Sequence, residues 1–264
     1  MTLKFYKYEG TGNDFIIADN RDQLFDKTNT NFIRKICDRK TGIGADGLIL
    51  LEDHEYLNFK MIYYNSDGSQ SGFCGNGSRC ITHFARFLDI IEKEAKFEAY
   101  DGIHKSKIIN DYVSVSINDI DSSKIKFFNN KYKATFIDSG SPHLILNEFN
   151  IDGKDIVKQS RIIKNYFTEF EDGININYFS KVDDKIILRT YERGVEDETL
   201  SCGTGAVALA LFLKINSINI KNEVLISTKG GDLSVYIEKS DSFFNNIWLS
   251  GNVRQVFYGN YNMN

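Results

Sequence analysis

The chain matches itself. Shifted by 128 residues, close to half of its 264, Cys74-Gly75-Asn76-Gly77 falls on Cys202-Gly203-Thr204-Gly205. The same shift lays Gly12-Asn13-Asp14-Phe15 on Gly140-Ser141-Pro142-His143. Neighbouring registers bring Tyr64-Asn65 onto Tyr191-Glu192 and Asp46-Gly47-Leu48 onto Asp172-Gly173-Ile174. Four matches in one order predict two homologous domains related by a pseudo-twofold axis, with equivalent loops facing each other across a cleft. The expected division is an N-terminal domain 1–118 carrying Cys74 and a C-terminal domain 119–251 carrying Cys202.

Local patterning sets the class. Short segments with period-two alternation, such as Val113, Val115 and Ile117, predict half-buried antiparallel strands. They recur as Leu3–Tyr8, Phe15–Ala18, Leu48–Leu51, Phe59–Tyr64 and Ile103–Ile109, then Tyr132–Ile137, Leu144–Leu146, Ile174–Phe179, Ile186–Tyr191, Val224–Ile226, Leu233–Ile237 and Val253–Tyr258. Asp101-Gly102 reads as a hairpin turn. Helical periodicity follows each Cys-Gly-x-Gly, over 77–91 and 205–215, and two peripheral helices are expected at 31–38 and 154–166. No strand–helix–strand alternation of the dinucleotide-binding kind is visible, so the predicted class is α+β with mainly antiparallel sheet.

Composition excludes several functions. A net charge of −4 supplies no basic footprint for nucleic acid. The longest apolar run, Ala206–Leu213, has eight residues, against about 20 for a membrane span. MTLKFYKYEG alternates polar and apolar residues without a signal-peptide core, so a cytoplasmic location is expected. The four cysteines, Cys37, Cys74, Cys80 and Cys202, contain no CxxC pair. The four histidines do not cluster with them at zinc-finger spacing. Reduced thiols and no metal are therefore expected.

Cys74 and Cys202 each end an extended segment and precede a glycine-flanked helix start. A helix N-terminus presents unpaired N–H groups and the positive end of its dipole, a ready anion site. Two such termini related by pseudo-symmetry would grip one carboxylate and place one sulfur on each face of the attached carbon. A racemase needs that arrangement: one base removes the α-proton while a conjugate acid reprotonates the opposite face. An ordinary thiol titrates at about 8.5, and a helix terminus contributes about 0.3–1 kcal/mol, less than one pKa unit. Two like charges so close do not both ionise cheaply, so one thiolate and one thiol form the expected resting pair. Desolvation and N–H groups aimed at developing enolate-like charge must lower the rest of the barrier. Cys37 has no repeat partner and Cys80 aligns with Ala208, so both are assigned to packing.

The chain resembles the diaminopimelate epimerase family over essentially its whole length. The carrying motifs are GTGNDF (10–15), CDRKTGIGADGL (37–48), YNSDGSQSGFCGNGSRC (64–80), SGSPH (139–143), YERGVEDETLSCGTGA (191–206) and GGDL (230–233). The resemblance implies two β-rolls, each around a central helix, with the C-terminal strand, near 252–264, returning to the first domain. It implies interconversion of LL- and meso-2,6-diaminopimelate without pyridoxal phosphate, metal or other cofactor, in lysine and peptidoglycan precursor synthesis. Cys74 and Cys202 look like the paired acid and base, with His143 and Glu192 as the polar pair beside the thiols. Gly75, Asn76, Gly203 and Thr204 would bind the α-carboxylate. Asn13, Asn65, Ser141, Asn175, Glu192 and Arg193 match substrate-binding positions, with Asn177 replacing Asn175 if the register slips by two. Ser141 stands where the family commonly has Asn, which puts direct contact with the distal group in question. The implied partner is the small-molecule substrate, with no nucleic acid or membrane, and a homodimer is the candidate assembly.

Three alternatives stay open at the level of sequence. A proline or hydroxyproline racemase would share the architecture but typically carries His where this chain has Asn76. A Cys–His hydrolase using His143 leaves the second cysteine unexplained. A carboxylate-binding module explains neither thiol.

Overall fold

The computed structural model describes residues 2–110, 112–147, 151, 153–183, 185–218 and 221–263. The first half of the chain forms β1 (Thr2–Gly10), β2 (Asn13–Asp19), α1 (Thr30–Cys37), β3 (Gly47–Glu52), β4 (Phe59–Asn65), α2 (Gly75–Phe87), β5 (Glu94–Ala99), β6 (Gly102–Ile109) and β7 (Tyr112–Ile117). The second half begins with β8 (Ile120–Asp121), β9 (Lys126–Phe127), β10 (Thr135–Asp138), β11 (Pro142–Asn147) and α3 (Ile156–Tyr166). It continues with β12 (Asn175–Val182), β13 (Lys185–Glu192), β14 (Asp197–Thr199), α4 (Gly203–Ile215), β15 (Glu223–Thr228), β16 (Gly231–Lys239), β17 (Phe243–Asn252) and β18 (Arg254–Asn262). The chain divides into two compact units, Met1–Ser116 with Ser250–Asn264, and Ile117–Leu249.

In the first unit β1 lies between β18 and β2, antiparallel to both. The pairings then run β2–β3 parallel, β3–β4 antiparallel, β4–β5 parallel and β5–β6–β7 antiparallel. Helix α2 is central: Ile81, Phe84 and Ala85 pack among Tyr6, Tyr8, Phe15, Ile49, Phe59 and Phe97. Helix α1 covers the opposite face, setting Ile33 and Ile36 against Ile16, Leu48 and Leu50. Strand β3 is therefore buried on both faces, which is why GLILLE is a continuous apolar run and not an alternating one.

The second unit repeats the ladder. Its pairings run β10–β11 antiparallel, β11–β12 parallel, β12–β13 antiparallel, β13–β15 parallel and β15–β16 antiparallel. Helix α4 is buried from Ala206 through Leu213, the counterpart of α2. The class is α+β with mainly antiparallel pairing, as the alternation predicts. Among the described residues each unit nevertheless holds two parallel steps, each bridged by a helix, because parallel neighbours need a long crossover.

Several local expectations shift. Tyr132–Ala134 is not strand; Lys133 sits at φ 48, and β10 starts at Thr135. The turn between β5 and β6 is Tyr100-Asp101, with Gly102 (φ 132) already paired to Ala99. Helix α2 stops at Phe87, not 91, because Asp89 turns left-handed at φ 57. Strand β17 carried no signal, since Asn245-Asn246 interrupts its apolar alternation and Asn246 adopts φ 47. The match of Asp46-Gly47-Leu48 to residues 172–174 is off by two. Phe15 pairs with Gly47 and His143 with Asn175, so Asn175 is the equivalent of Gly47 at the common offset.

Candidate active site

Each cysteine caps a thirteen-residue helix in the same backbone conformation, Cys74 at φ −122, ψ 107 and Cys202 at φ −122, ψ 111. The helices also end alike, with left-handed residues at Asp89 (φ 57) and Ser217 (φ 55), 128 positions apart. Extended geometry at the cap turns the sulfur toward the first turn, where the leading N–H groups have no intrahelical partner. Gly75 and Asn76 open one helix, Gly203 and Thr204 the other. The second glycine of each motif serves packing. A Cβ on Gly77 would lie 2.9 Å from Ile49 Cδ1, and one on Gly205 would lie 2.6 Å from Asn177 Oδ1.

In the first unit the Cys74 sulfur accepts from Gly77 N–H at 3.4 Å, and Cys74 is half-buried. Asn76 donates to Asn13 Oδ1 at 3.2 Å, and Asn13 donates to Asp46 at 2.5 Å. Asp46 and Asp14 share Arg39, with each N–O distance 2.7 Å, and Lys7 pairs with Asp14 at 2.7 Å. Burial opposes ionisation of Asp14, but Arg39 and Lys7 overcome it and hold the carboxyl down to about 2. Burial, then the Asp14 charge, pushes Asp46 above the usual carboxylate range. This cluster orients Asn13, and residue type alone did not reveal it. Asn65 ends β4 opposite Gly47; its amide donates to Ser69 at 3.4 Å.

Behind Cys74 lies a fully buried arginine that sequence reasoning passed over. Arg79 donates to Thr11 Oγ1 at 2.8 Å, while its Nε and Nη1 have no hydrogen-bond partner. Thr11 occupies the left-handed region at φ 58, unusual for a β-branched residue, in the turn leading to Asn13. The arginine thus braces the turn on which Asn13 stands.

In the second unit Cys202 is buried, with its sulfur 3.5 Å from Thr204 Oγ1. Thr204 Oγ1 lies 2.9 Å from His143 Nε2 and 3.1 Å from Ser141 Oγ. Ser141 Oγ is itself 2.9 Å from His143 Nε2, so this serine belongs to the histidine's network. Burial, then the Arg193 charge, pushes His143 down to about 3, so the imidazole is neutral near pH 7. Asn175 donates to Ser141 at 3.3 Å and accepts from Arg193 N–H at 2.9 Å. Among the described residues the Arg193 guanidinium reaches only the Asp172 carbonyl, at 3.5 Å. Glu192 accepts from Thr199 at 3.0 Å. Asn177, the register alternative, is fully buried against His143 Nδ1, while Asn175, also buried, donates to Ser141 and the Pro142 carbonyl.

Cys37 and Cys80 lie in separate apolar cores. Burial pushes Cys37 up to about 12 and raises Cys80 as well, so both stay protonated.

The sequence pattern of diaminopimelate epimerase matches residues 5–122 and 135–254. Diaminopimelate epimerase from Flavobacterium psychrophilum is 45% identical over 257 residues, covering 97% of this chain and 98% of that protein. Among solved structures, a Bacillus anthracis phenazine biosynthesis protein of the PhzF family superposes with a TM-score of 0.80 at 14% identity, over 99% of both chains. A hydroxyproline epimerase from Agrobacterium vitis gives 0.74 at 13% identity, over 98% of this chain and 92% of that one. At such identities the superpositions establish the fold, which is shared among different activities. The family match spans nearly the whole chain and includes both cysteine motifs, and so the chain belongs to the diaminopimelate epimerase family.

Proposed function

We propose that this protein interconverts LL- and meso-2,6-diaminopimelate, with Cys74 and Cys202 exchanging acid and base roles at one α-carbon. The observation that carries the reading is the equivalence of the two caps: same residue, same backbone angles, same helix length. The first-turn N–H groups of Gly75, Asn76, Gly203 and Thr204 receive the α-carboxylate and the negative charge that spreads onto it. One thiolate takes the α-proton and becomes a thiol; the opposite thiol gives its proton to the other face and becomes the thiolate. Charge is conserved, and the product leaves the enzyme with the two roles exchanged. His143 and Glu192 tune the thiols. Asn13, Asn65, Ser141, Asn175 and Arg193 hold the remote end, where a guanidinium forks onto carboxylate oxygens.

The reading includes no cofactor and no metal, a cytoplasmic location, and a small molecule as the partner. Among the described residues no helix is long and apolar enough to cross a membrane. The racemase reading for proline-type substrates is weaker, because Asn76 replaces the histidine typical there and Arg193 suits a second charged group. Assay of the purified protein on LL-diaminopimelate in D2O, with no additions, tests the function. Epimerisation with deuterium at the α-carbon, surviving chelators and carbonyl-trapping reagents, is expected. Turnover of proline or hydroxyproline instead, or activity recovered only on adding metal or pyridoxal phosphate, overturns it.

A further inference from the structure

The two units differ in the buried pair that lies beneath the cysteine-capped helices. Phe15 and Ile49, both fully buried, pack beneath Cys74's helix in the first unit. At the same offset of 128 the second unit has His143 and Asn177, also fully buried. Burying two polar side chains where an apolar pair serves the sister unit costs free energy unless every polar atom is satisfied.

Here they are satisfied in one direction. Asn177 Nδ2 faces the Leu144 carbonyl at 3.2 Å and so must be the donor end of the amide. Its Oδ1 then accepts from Thr190 Oγ1 at 2.9 Å, a hydroxyl that matches this orientation. The same Nδ2 lies 2.9 Å from His143 Nδ1, so Nδ1 accepts and the proton of the neutral ring sits on Nε2. Nε2–H then donates to Thr204 or to Ser141, each 2.9 Å away. When Nε2–H donates to Thr204, or to Ser141 which in turn donates to Thr204 at 3.1 Å, Thr204 Oγ1 accepts a proton and its own O–H can donate to the Cys202 sulfur at 3.5 Å.

We infer that Asn177, held by Thr190 and the Leu144 carbonyl, is a positioning residue that locks the His143 tautomer and thereby aims the Thr204 hydroxyl proton at Cys202. In the opposite tautomer Nε2 would present a lone pair, the Thr204 hydroxyl would turn toward it, and the sulfur would lose that donor. A donated hydrogen bond favours the thiolate over the thiol, so the amide behind the histidine biases Cys202 toward its basic form. The charged group facing the imidazole is Arg193, which disfavours imidazolium and keeps the ring a neutral donor. At Cys74 the sulfur accepts from the backbone N–H of Gly77 at 3.4 Å.

The inference rests on the proposed role of Cys202, but its test does not depend on turnover. Nitrogen shifts of labelled His143 report the tautomer directly, and alkylation of Cys202 in a Cys74→Ala background reports its thiolate. In the otherwise unaltered protein Nδ1 should be unprotonated from pH 5 to 9. Asn177→Leu should release the tautomer and slow Cys202 alkylation at pH 7 by about tenfold, the worth of one such hydrogen bond. Thr190→Val, a milder change should Asn177→Leu fail to fold, should shift both readouts the same way, and Thr190→Ser should restore them. A protonated Nδ1 in the unaltered protein overturns the inference, as does an unchanged alkylation profile in folded Asn177→Leu and Thr190→Val. If Cys202→Ala still epimerises, the catalytic reading fails instead, leaving the tautomer result intact.

Discussion

Helices α2 and α4 are equivalent in backbone and unlike in nearly everything they bury. Both have thirteen residues, begin at a cysteine cap and stop at a left-handed residue. Helix α4 is apolar all round from Ala206 to Leu213, so its stability comes from burial alone. Helix α2 carries Ser78, Arg79 and Thr82 inward, all fully buried. Beneath the caps the polarity reverses: His143 and Asn177 lie under α4, Phe15 and Ile49 under α2. A repeat that preserves backbone but exchanges polar for apolar partners keeps two thiols in equivalent places while giving them different surroundings. The repeat sets the backbone conformation at each sulfur, and the differing side chains set its surroundings.

The sharpest attempt to break the equivalence is to remove one sulfur at a time. Cys74→Ala and Cys202→Ala should each lower kcat by at least about 10^2–10^4, the usual worth of a positioned proton-transfer group. Assay of both stereoisomers with α-deuterium counting checks this. One variant that keeps near-full activity would reduce the pair to a single functional thiol.

Next in size is the proposed contact of Arg193, which stands at the offset of 128 from the uncharged Asn65. Arg193→Ala should cost about 2–5 kcal/mol in kcat/KM, because a substrate carboxylate would lose its cation in an enclosed site. Arg34→Ala, whose guanidinium donates to the carbonyl of exposed Asp67, should be near neutral. Equal, small effects would place Arg193 outside the substrate site.

The buried histidine makes the second unit acid-sensitive in a way Phe15 does not make the first. His143 binds its proton at about 3 when folded, below its ordinary value near 6.5, so between these values the unfolded chain holds the extra proton. Its contribution is therefore present above pH 6.5 and lost as pH falls, at up to about 1.4 kcal/mol per unit. His143→Gln should remove about 2 kcal/mol of the stability lost between pH 6.5 and 5, read from urea midpoints. An unchanged pH dependence would mean that the imidazole is not held neutral.

The smallest effect concerns Arg79. Its buried charge has one hydrogen bond and no carboxylate partner among the described residues. Replacing a poorly compensated buried charge with an apolar side chain of similar length is often neutral or stabilising. Arg79→Met should thus leave the unfolding free energy within about 1 kcal/mol, or raise it, while KM rises through the loosened Thr11 turn. A large loss of stability would show that the guanidinium is better paired than its contacts indicate.

Both cysteine caps were legible because a cap is local: an extended residue, glycines and an apolar periodic run lie within one short window. The motifs around Asn65, His143, Glu192 and Arg193 were legible as resemblance, although contacts assign their neighbours. Asn177 was a register alternative to Asn175; the two share one face of β12, and only the ladder shows Asn175 beside His143 and Asn177 beside Ile145.

By itself the sequence determined the repeat, the α+β class, the two cysteines at helix N-cap positions and the family, since each is written in spacing along the chain. Tertiary structure alone decided the four parallel steps, the burial of Arg79, the Asp14–Arg39–Asp46 cluster and the Asn177–His143–Thr204 alignment. The physical reason is distance along the chain. Strand register and helix crossovers choose which of many polar side chains meet, and hydrogen bonds then select an orientation that no local window encodes.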